Sequence, residues 1–253
     1  MTTSVVFSVP KGGEVKNEDS SAADDRRGRW AVADGASESV YAEEWADILT
    51  RAFIDRPCFK THRLDEWLGP LQSRWLREAR SRPMPWYIEP KVEDQGGFST
   101  FLGVVVERPR GGKAEERPLR WSAVAVGDCC VFQVRRGEVV VAHPVKRACD
   151  FGYTPPLLKT KDERAEAASR DAAWIHGLIW RPGDVLLLMT DALAEWFLGR
   201  SESDGTAWGE LERFLSAPDP QAAFAGWVEE RREAKELRSD DTTLVLIRHE
   251  AAT

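Results

Sequence analysis

Asn17-Glu18-Asp19, a polar turn through Asp24-Asp25-Arg26-Arg27-Gly28, then Trp30-Ala31-Val32-Ala33-Asp34-Gly35: residues 17–35 decide how this chain is read. Two acids open the stretch, and a short apolar strand carries a third, Asp34, to its own end. A carboxylate where a strand leaves the core is well placed to meet a hard cation. The following glycine admits close backbone approach, so its neighbouring carbonyl is also on offer. Taken alone, Asp34-Gly35 is first of all a turn signal. The chain, however, delivers two more acids in the same way. Met189-Thr190-Asp191 closes the apolar run Val185-Leu186-Leu187-Leu188, and Ser239-Asp240-Asp241 opens the run Thr243-Leu244-Val245-Leu246-Ile247.

Outward from these points the pattern predicts an antiparallel scaffold. A first strand spans Val5 to Val9, ended by Pro10 and Gly12-Gly13. Ser37 or Ser39 is expected to cap a helix with Ala42, Trp45, Ala46, Leu49 and Phe53 on its apolar side. A second helix is predicted around Leu64 to Leu76, with Pro70 marking a kink or a late start. Residues 83–97 read as a loop. Strands are expected at 101–106, 119–126, 131–134 and 139–142. A surface link at 108–117 and turns at Gly127-Asp128 and Arg136-Gly137 would join them. Residues 143–173 read as a surface excursion with a short polar helix at 162–170. Arg181-Pro182-Gly183-Asp184 is a turn into the Val185 strand. Two helices, near 208–215 and 221–237, are expected before the last strand, with Asp219-Pro220 starting the second. Several antiparallel strands interleaved with paired helices make an α+β chain, and no repeat or linker divides it; residues 1–253 are expected to form a single domain.

At 253 residues the chain is long enough to bury a large core. A net charge of -7 argues against a general nucleic-acid binder and leaves a phosphorylated protein open as partner. No apolar stretch approaches membrane-spanning length, and Met1-Thr2-Thr3-Ser4 does not begin like a signal peptide. Cys58, Cys129, Cys130 and Cys149 have no metal-finger spacing and read as small buried hydrophobes, which points to a reducing cytoplasm. The eleven tryptophans read as packing.

Glu18, Asp19, Asp34, Asp191 and Asp240 form an all-oxygen set, and burying such a set is costly unless cations neutralise it. Without His or Cys beside it, the set points to magnesium or manganese rather than zinc. Here the sequence resembles the bacterial metal-dependent protein phosphatases of type 2C, the PPM family. The resemblance rests on five motifs in order: Asn17-Glu18-Asp19, Ala33-Asp34-Gly35, Gly127-Asp128-Cys129, Thr190-Asp191-Ala192 and Asp240-Asp241-Thr242-Thr243.

The resemblance implies a four-layer α-β-β-α sandwich, two antiparallel sheets flanked by helix pairs, with residues 143–173 as a flap beside the metals. It implies that Asp34, Asp191 and Asp240 hold one manganese or magnesium ion. Glu18, Asp34 and the Gly35 carbonyl hold a second, with Asp34 bridging and Asp19 supporting through water. Asp128 and Glu195 would surround a weaker third ion, although Gly127-Asp128 suits an ordinary hairpin turn equally well. The implied activity is hydrolysis of phosphoserine and phosphothreonine in a protein phosphorylated by a Ser/Thr kinase, by a water bridging two cations. Two alternatives remain: a pseudophosphatase that binds phosphoprotein but turns over weakly, and a metallohydrolase of small phosphoesters.

The sequence also departs from the family. Glu14 stands where the family has a phosphate-gripping arginine; Lys16, two residues nearer, is the candidate substitute, and Lys11 lies slightly upstream. Ala36, Cys129, Ala192 and Asp241 replace histidine, serine, glycine and asparagine. His62, His143, His176 and His249 read as surface or satisfied core residues, and the run 229–238 as a solvated helix face.

Overall fold

The computed structural model describes residues 2–13, 16–60, 64–107, 118–161 and 167–249. Strands β1 (Thr2–Val9), β2 (Asp19–Asp24) and β3 (Arg29–Asp34) lead to helices α1 (Ala42–Asp55), α2 (Leu64–Arg80) and α3 (Glu89–Asp94). A meander follows: β4 (Phe98–Ser99), β5 (Phe101–Glu107), β6 (Leu119–Val126), β7 (Cys130–Arg135) and β8 (Glu138–His143). Next come β9 (Leu158–Lys159), α4 (Ala167–Asp171), β10 (Ala173–Trp180) and β11 (Val185–Met189). Helices α5 (Asp191–Ser203), α6 (Ala207–Leu215) and α7 (Pro220–Glu233) precede the last strand, β12 (Thr242–His249). No helix among the described residues is long and apolar enough to cross a membrane.

Two five-stranded antiparallel sheets, ordered β1-β12-β11-β7-β8 and β10-β6-β5-β3-β2, pack face to face. Their central strands read as unbroken apolar runs because both faces are covered. Leu186 and Leu188 of β11 and Val245 and Ile247 of β12 meet Trp30, Val32, Leu102 and Trp121 of the other sheet. The alternate residues Leu187, Met189, Leu244 and Leu246 face α5, α6 and α7 through Leu193, Phe197, Leu211, Phe214 and Phe224. On the far side, Trp45, Leu49 and Phe53 of α1 and Leu68 and Trp75 of α2 cover Ala31, Phe101 and Val124. Burying one such side chain stabilises by roughly 1.5–3 kcal/mol, so these layers, more than helix propensity, hold the helices in place.

The expected four-layer α+β sandwich is present, with differences that have local causes. One face carries α1 and α2 with the short helices α3 and α4 beside them, and the other carries α5, α6 and α7. Helix α5 follows directly from β11, so three helices rather than two separate that strand from β12. Strands β2 and β10, and the two-residue strands β4 and β9, are additional to the predicted set. A register shift between Ile175 and Leu178 interrupts the alternation of β10. Helix α1 begins after Tyr41, in left-handed conformation (φ 51°), with no side-chain cap. Ser37 and Ser39 close the preceding loop instead, Ser39 donating to the Ala36 carbonyl at 2.9 Å. Helix α2 runs through Pro70, and α3 lies within the expected loop 83–97. Asp219 does start α7, its side chain accepting from Ala222 N at 3.1 Å. Residues 108–117, His62 and most of the predicted helix 162–170 fall outside the described residues; α4 begins at Ala167.

The described part of segment 143–173 is less free than a surface excursion. Leu158 is fully buried, its carbonyl accepts from Trp45 Nε1 at 2.9 Å, and β9 pairs with β4. Cys149 is exposed, unlike the other three cysteines. Trp86 is the exception among the tryptophans, lying 83% exposed next to Tyr87.

Candidate active site

Sheet register brings the predicted acids to one end of the sandwich. Asp19 and Asp34 are directly opposite each other on β2 and β3, so their side chains leave the same face. In the other sheet, Met189 pairs with Cys130 and with Leu244. Asp191, just beyond β11, is therefore flanked by Asp128, just before β7, and by Asp240, just before β12. Thr100 ties the two sheets together at this end: its backbone N–H donates to the Asp34 carbonyl at 2.9 Å, and its hydroxyl lies 3.0 Å from the Cys129 sulfur.

The carboxylates repel one another. Burial pushes the Asp34 carboxyl well above its ordinary range, and the charges of Asp19, Asp191, Asp240 and Asp128 push it further. Asp19 is raised likewise by burial and by Asp241 and Asp191, despite hydroxyl bonds from Thr243 and Thr190. Asp128 is pushed up to about 7, chiefly by burial and then by Asp191. Asp240 is raised by burial and by Asp191. Glu18 differs. Burial acts to raise it, but hydrogen bonds from Ser37 and Lys11 outweigh that and hold it below its usual value.

Two glycines set the spacing. A Cβ on Gly35 would sit 2.8 Å from the Ala42 backbone, so only glycine lets α1 start against the end of β3. A Cβ on Gly127 would sit 2.6 Å from the Thr100 side chain and 2.9 Å from the Pro156 carbonyl, at a φ of +96°. Pro156, within the described part of the predicted excursion, thus lies directly beside the Asp128 turn. Gly35→Ala is expected to destabilise the protein by about 1–3 kcal/mol, because backbone and not a flexible side chain must move. Thermal unfolding checks this; an unchanged melting temperature would mean the helix start is not crowded.

Basic residues line the cluster. Lys11 Nζ donates to Glu18 Oε2 at 2.9 Å and to the Ser37 hydroxyl at 2.6 Å. Lys16, the sequence candidate for substrate binding, pairs with Glu43 at 2.9 Å and is 56% exposed. Glu14 lies outside the described residues. Arg238 donates to Asp191 and Glu195, and Arg232 to the carbonyls of Pro10 and Asp240. Neither arginine is on a solvated helix face: α7 ends at Glu233, and the Arg232 side chain is 6% exposed. Asp241, 2% exposed, accepts the backbone N–H groups of Lys11 and Glu18, each at 2.7 Å. Sequence reasoning assigned no such role to Ser37, Asp241, Arg232 or Arg238.

No family model matches the chain, and no curated protein sequence was found similar to it. Solved structures are similar over the whole length. The serine/threonine phosphatase PstP/Ppp of Mycobacterium tuberculosis matches with a TM-score of 0.58 and 18% identity, over 99% of each chain. The catalytic domain of PstP in complex with two manganese ions gives 0.56 and 19%, again over 99% of each chain. Stp1 of Staphylococcus aureus gives 0.59 and 14%, over 99% of this chain and 96% of that one. The chain has the PPM phosphatase fold.

Within this PPM sandwich, no group of three or more described His, Cys, Asp or Glu residues stands close enough together to hold a metal ion. Several donors are already engaged: Glu18 Oε2 by Lys11 and Ser37, and both Asp191 oxygens by Arg238 and the Ala192 N–H. The chemistry of the set nevertheless fits a hard divalent cation. All the side-chain donors are carboxylates, they repel one another, and Asp19 Oδ1 and Asp128 Oδ1 are buried without a hydrogen-bond partner. Such oxygens are stable in a folded protein when a cation or proton meets them. Among the described residues, His143 is buried and its Nε2 lies 3.2 Å from the Ala173 carbonyl, while His176 stacks on Trp174 and His249 packs against Trp180.

Proposed function

We propose that residues 1–253 act as one catalytic unit, a manganese- or magnesium-dependent phosphatase of phosphoserine and phosphothreonine in proteins. One observation carries this reading: five carboxylates from different strand ends and turns converge at one end of a PPM-type sandwich. Two of them present buried, unpartnered oxygens. Asp34, Asp191, Asp240 and Glu18, with the Gly35 carbonyl, would hold two cations, and Asp128 and Glu195 a third, weaker one. When bound, the cations supply charge neutralisation at the phosphoryl group and an activated water.

The chain's own residues do the rest. Asp19, hydrogen-bonded by the Thr190 hydroxyl at 3.0 Å, places a carboxyl oxygen beside Asp34. Asp241 fixes the backbone of Lys11 and Glu18, so a cationic side chain and a carboxylate reach the cluster from one anchored loop. Lys11 is the better placed of the two lysines to meet substrate phosphate, since Lys16 is turned toward α1. The substrate would be a protein phosphorylated by a Ser/Thr kinase, and the compartment the cytoplasm.

The test is hydrolysis of a phosphothreonine peptide and of p-nitrophenyl phosphate with manganese and with chelator. Chelator-sensitive turnover supports the reading; no turnover at saturating manganese overturns it. A preference for the small ester would favour the small-phosphoester hydrolase. A second reading, a phosphoprotein-binding module with weak turnover, is favoured by the engagement of Glu18 and Asp191 with basic side chains. Phosphopeptide binding without hydrolysis would select it. On the leading reading, Lys11→Ala is expected to raise KM about tenfold with little change in kcat, since its contact acts on ground and transition states alike. Lys16→Ala is expected to leave KM unchanged. Steady-state kinetics with those effects exchanged would return the role to Lys16.

A further inference from the structure

Arg238 lies past the end of α7, two residues before Asp240, with its side chain 39% exposed. Its guanidinium is divided between two acids of one helix: Nη2 donates to Asp191 Oδ2 at 2.6 Å, and Nε to Glu195 Oε2 at 2.8 Å. The other oxygen of Asp191, Oδ1, accepts from the Ala192 backbone N–H at 2.6 Å. Both oxygens of this carboxylate are therefore committed, one of them to a cation that the chain supplies itself. Of the three groups only Asp191 is buried, and a guanidinium that holds a buried carboxylate while bridging to a second acid binds more firmly than an isolated exposed ion pair.

We propose that Arg238 is a resident counter-cation that occupies Asp191 and must be displaced from it when a divalent metal loads. The proposal rests on reading Asp191 as a metal ligand. A metal at Asp191 Oδ2 and the Arg238 N–H group compete for the same lone pairs and the same negative charge. Glu195, one helical turn beyond Asp191, gives the displaced guanidinium a place to stay. Arg238 thus swings on a tether rather than leaving for solvent. In the metal-free protein Arg238 offsets part of the repulsion around Asp191; in the loaded protein it adds a positive charge close to the metal. Both effects make loading weaker than the acid set alone would give. Arg238 is a positioning residue here, acting through Asp191.

The experiment is a calorimetric manganese titration of metal-stripped wild type, Arg238→Ala, Arg238→Lys and Lys16→Ala, with melting temperatures read in parallel. Arg238→Ala is expected to bind manganese about tenfold more tightly than wild type, and to melt lower when metal-free. Arg238→Lys, which keeps the charge but loses the fork, falls between the two. Lys16→Ala removes a nearby positive charge without touching Asp191 and should change affinity little. Equal or weaker affinity in Arg238→Ala overturns the proposal, as does a gain in Lys16→Ala as large as that in Arg238→Ala. If all four proteins stay folded and none binds manganese, the metal-site reading itself fails and takes the proposal with it.

Discussion

Asp34→Asn is expected to lower turnover about 10³-fold at saturating manganese, since removing charge stabilisation worth several kcal/mol costs about a decade per 1.4 kcal/mol. Asp34 is singled out because its carboxyl feels four other acids, Asp19, Asp191, Asp240 and Asp128. It stands where the two sheets' contributions meet. The substitution keeps the shape. The hydrogen bonds that anchor this residue are made by its backbone: its carbonyl accepts from the Ser99 hydroxyl at 2.8 Å and from Thr100 N at 2.9 Å, and its N–H reaches the Thr100 hydroxyl at 3.3 Å. The fold should therefore survive. Stability of the metal-free protein should even rise, because one member of a mutually repelling set has gone. A lower rate with a higher metal-free melting temperature is thus the expected signature, and it separates a site residue from a structural one. Wild-type turnover in Asp34→Asn at saturating manganese would rule out a two-metal mechanism.

Asp34, Asp191 and Asp240 of the candidate site were legible in the sequence because they sit at the ends of apolar runs. A strand that is buried on both faces reads as a run whatever its neighbours are, as in Val185 to Leu188 and Leu244 to Ile247. Its polar terminus marks where the chain leaves the core. The same logic explains what was missed. Strand β2 reads Asp-Ser-Ser-Ala-Ala-Asp, small and polar, and is a strand because β3 pairs with it along its length. Helix α5 is buried from Asp191 through Ala194 and again at Trp196 to Leu198, so it shows no clean polar face in its first turns. The roles of Arg238, Asp241 and Ser37 depend on partners far along the chain: Asp191, 47 residues from Arg238, and Glu18, 223 residues from Asp241 and 19 from Ser37. No local pattern carries such pairings. A charged run next to a helix looks solvated until the fold shows what it faces.

Manganese is expected to stabilise the protein strongly, and more strongly at pH 7.5 than at pH 5.5. Two sites filled to about a hundred times their dissociation constants would each add about 2.7 kcal/mol, a rise of roughly 10–20 °C in a chain of this length. The pH dependence follows from the raised carboxyls. Unfolded, Asp19, Asp34 and Asp128 titrate near 4. Folded and metal-free, Asp19 and Asp34 titrate well above that and Asp128 at about 7. Between these values the folded chain holds more protons than the unfolded one, so metal-free stability falls as pH rises through that window. Glu18 and Asp184 are lowered and act in the opposite sense, but their contribution is lost only below the ordinary carboxylate range. His143 and His249, lowered by burial, oppose the trend near neutral pH and are outnumbered by the raised carboxyls, which also include Asp240 and Glu43. Metal reverses the trend, because cations bind the ionised acids and release their protons. Melting curves with chelator should therefore shift down from pH 5.5 to 7.5, while curves with millimolar manganese stay level or rise. A melting temperature at pH 7.5 that does not respond to manganese would leave the clustered carboxylates without the cations that their burial requires.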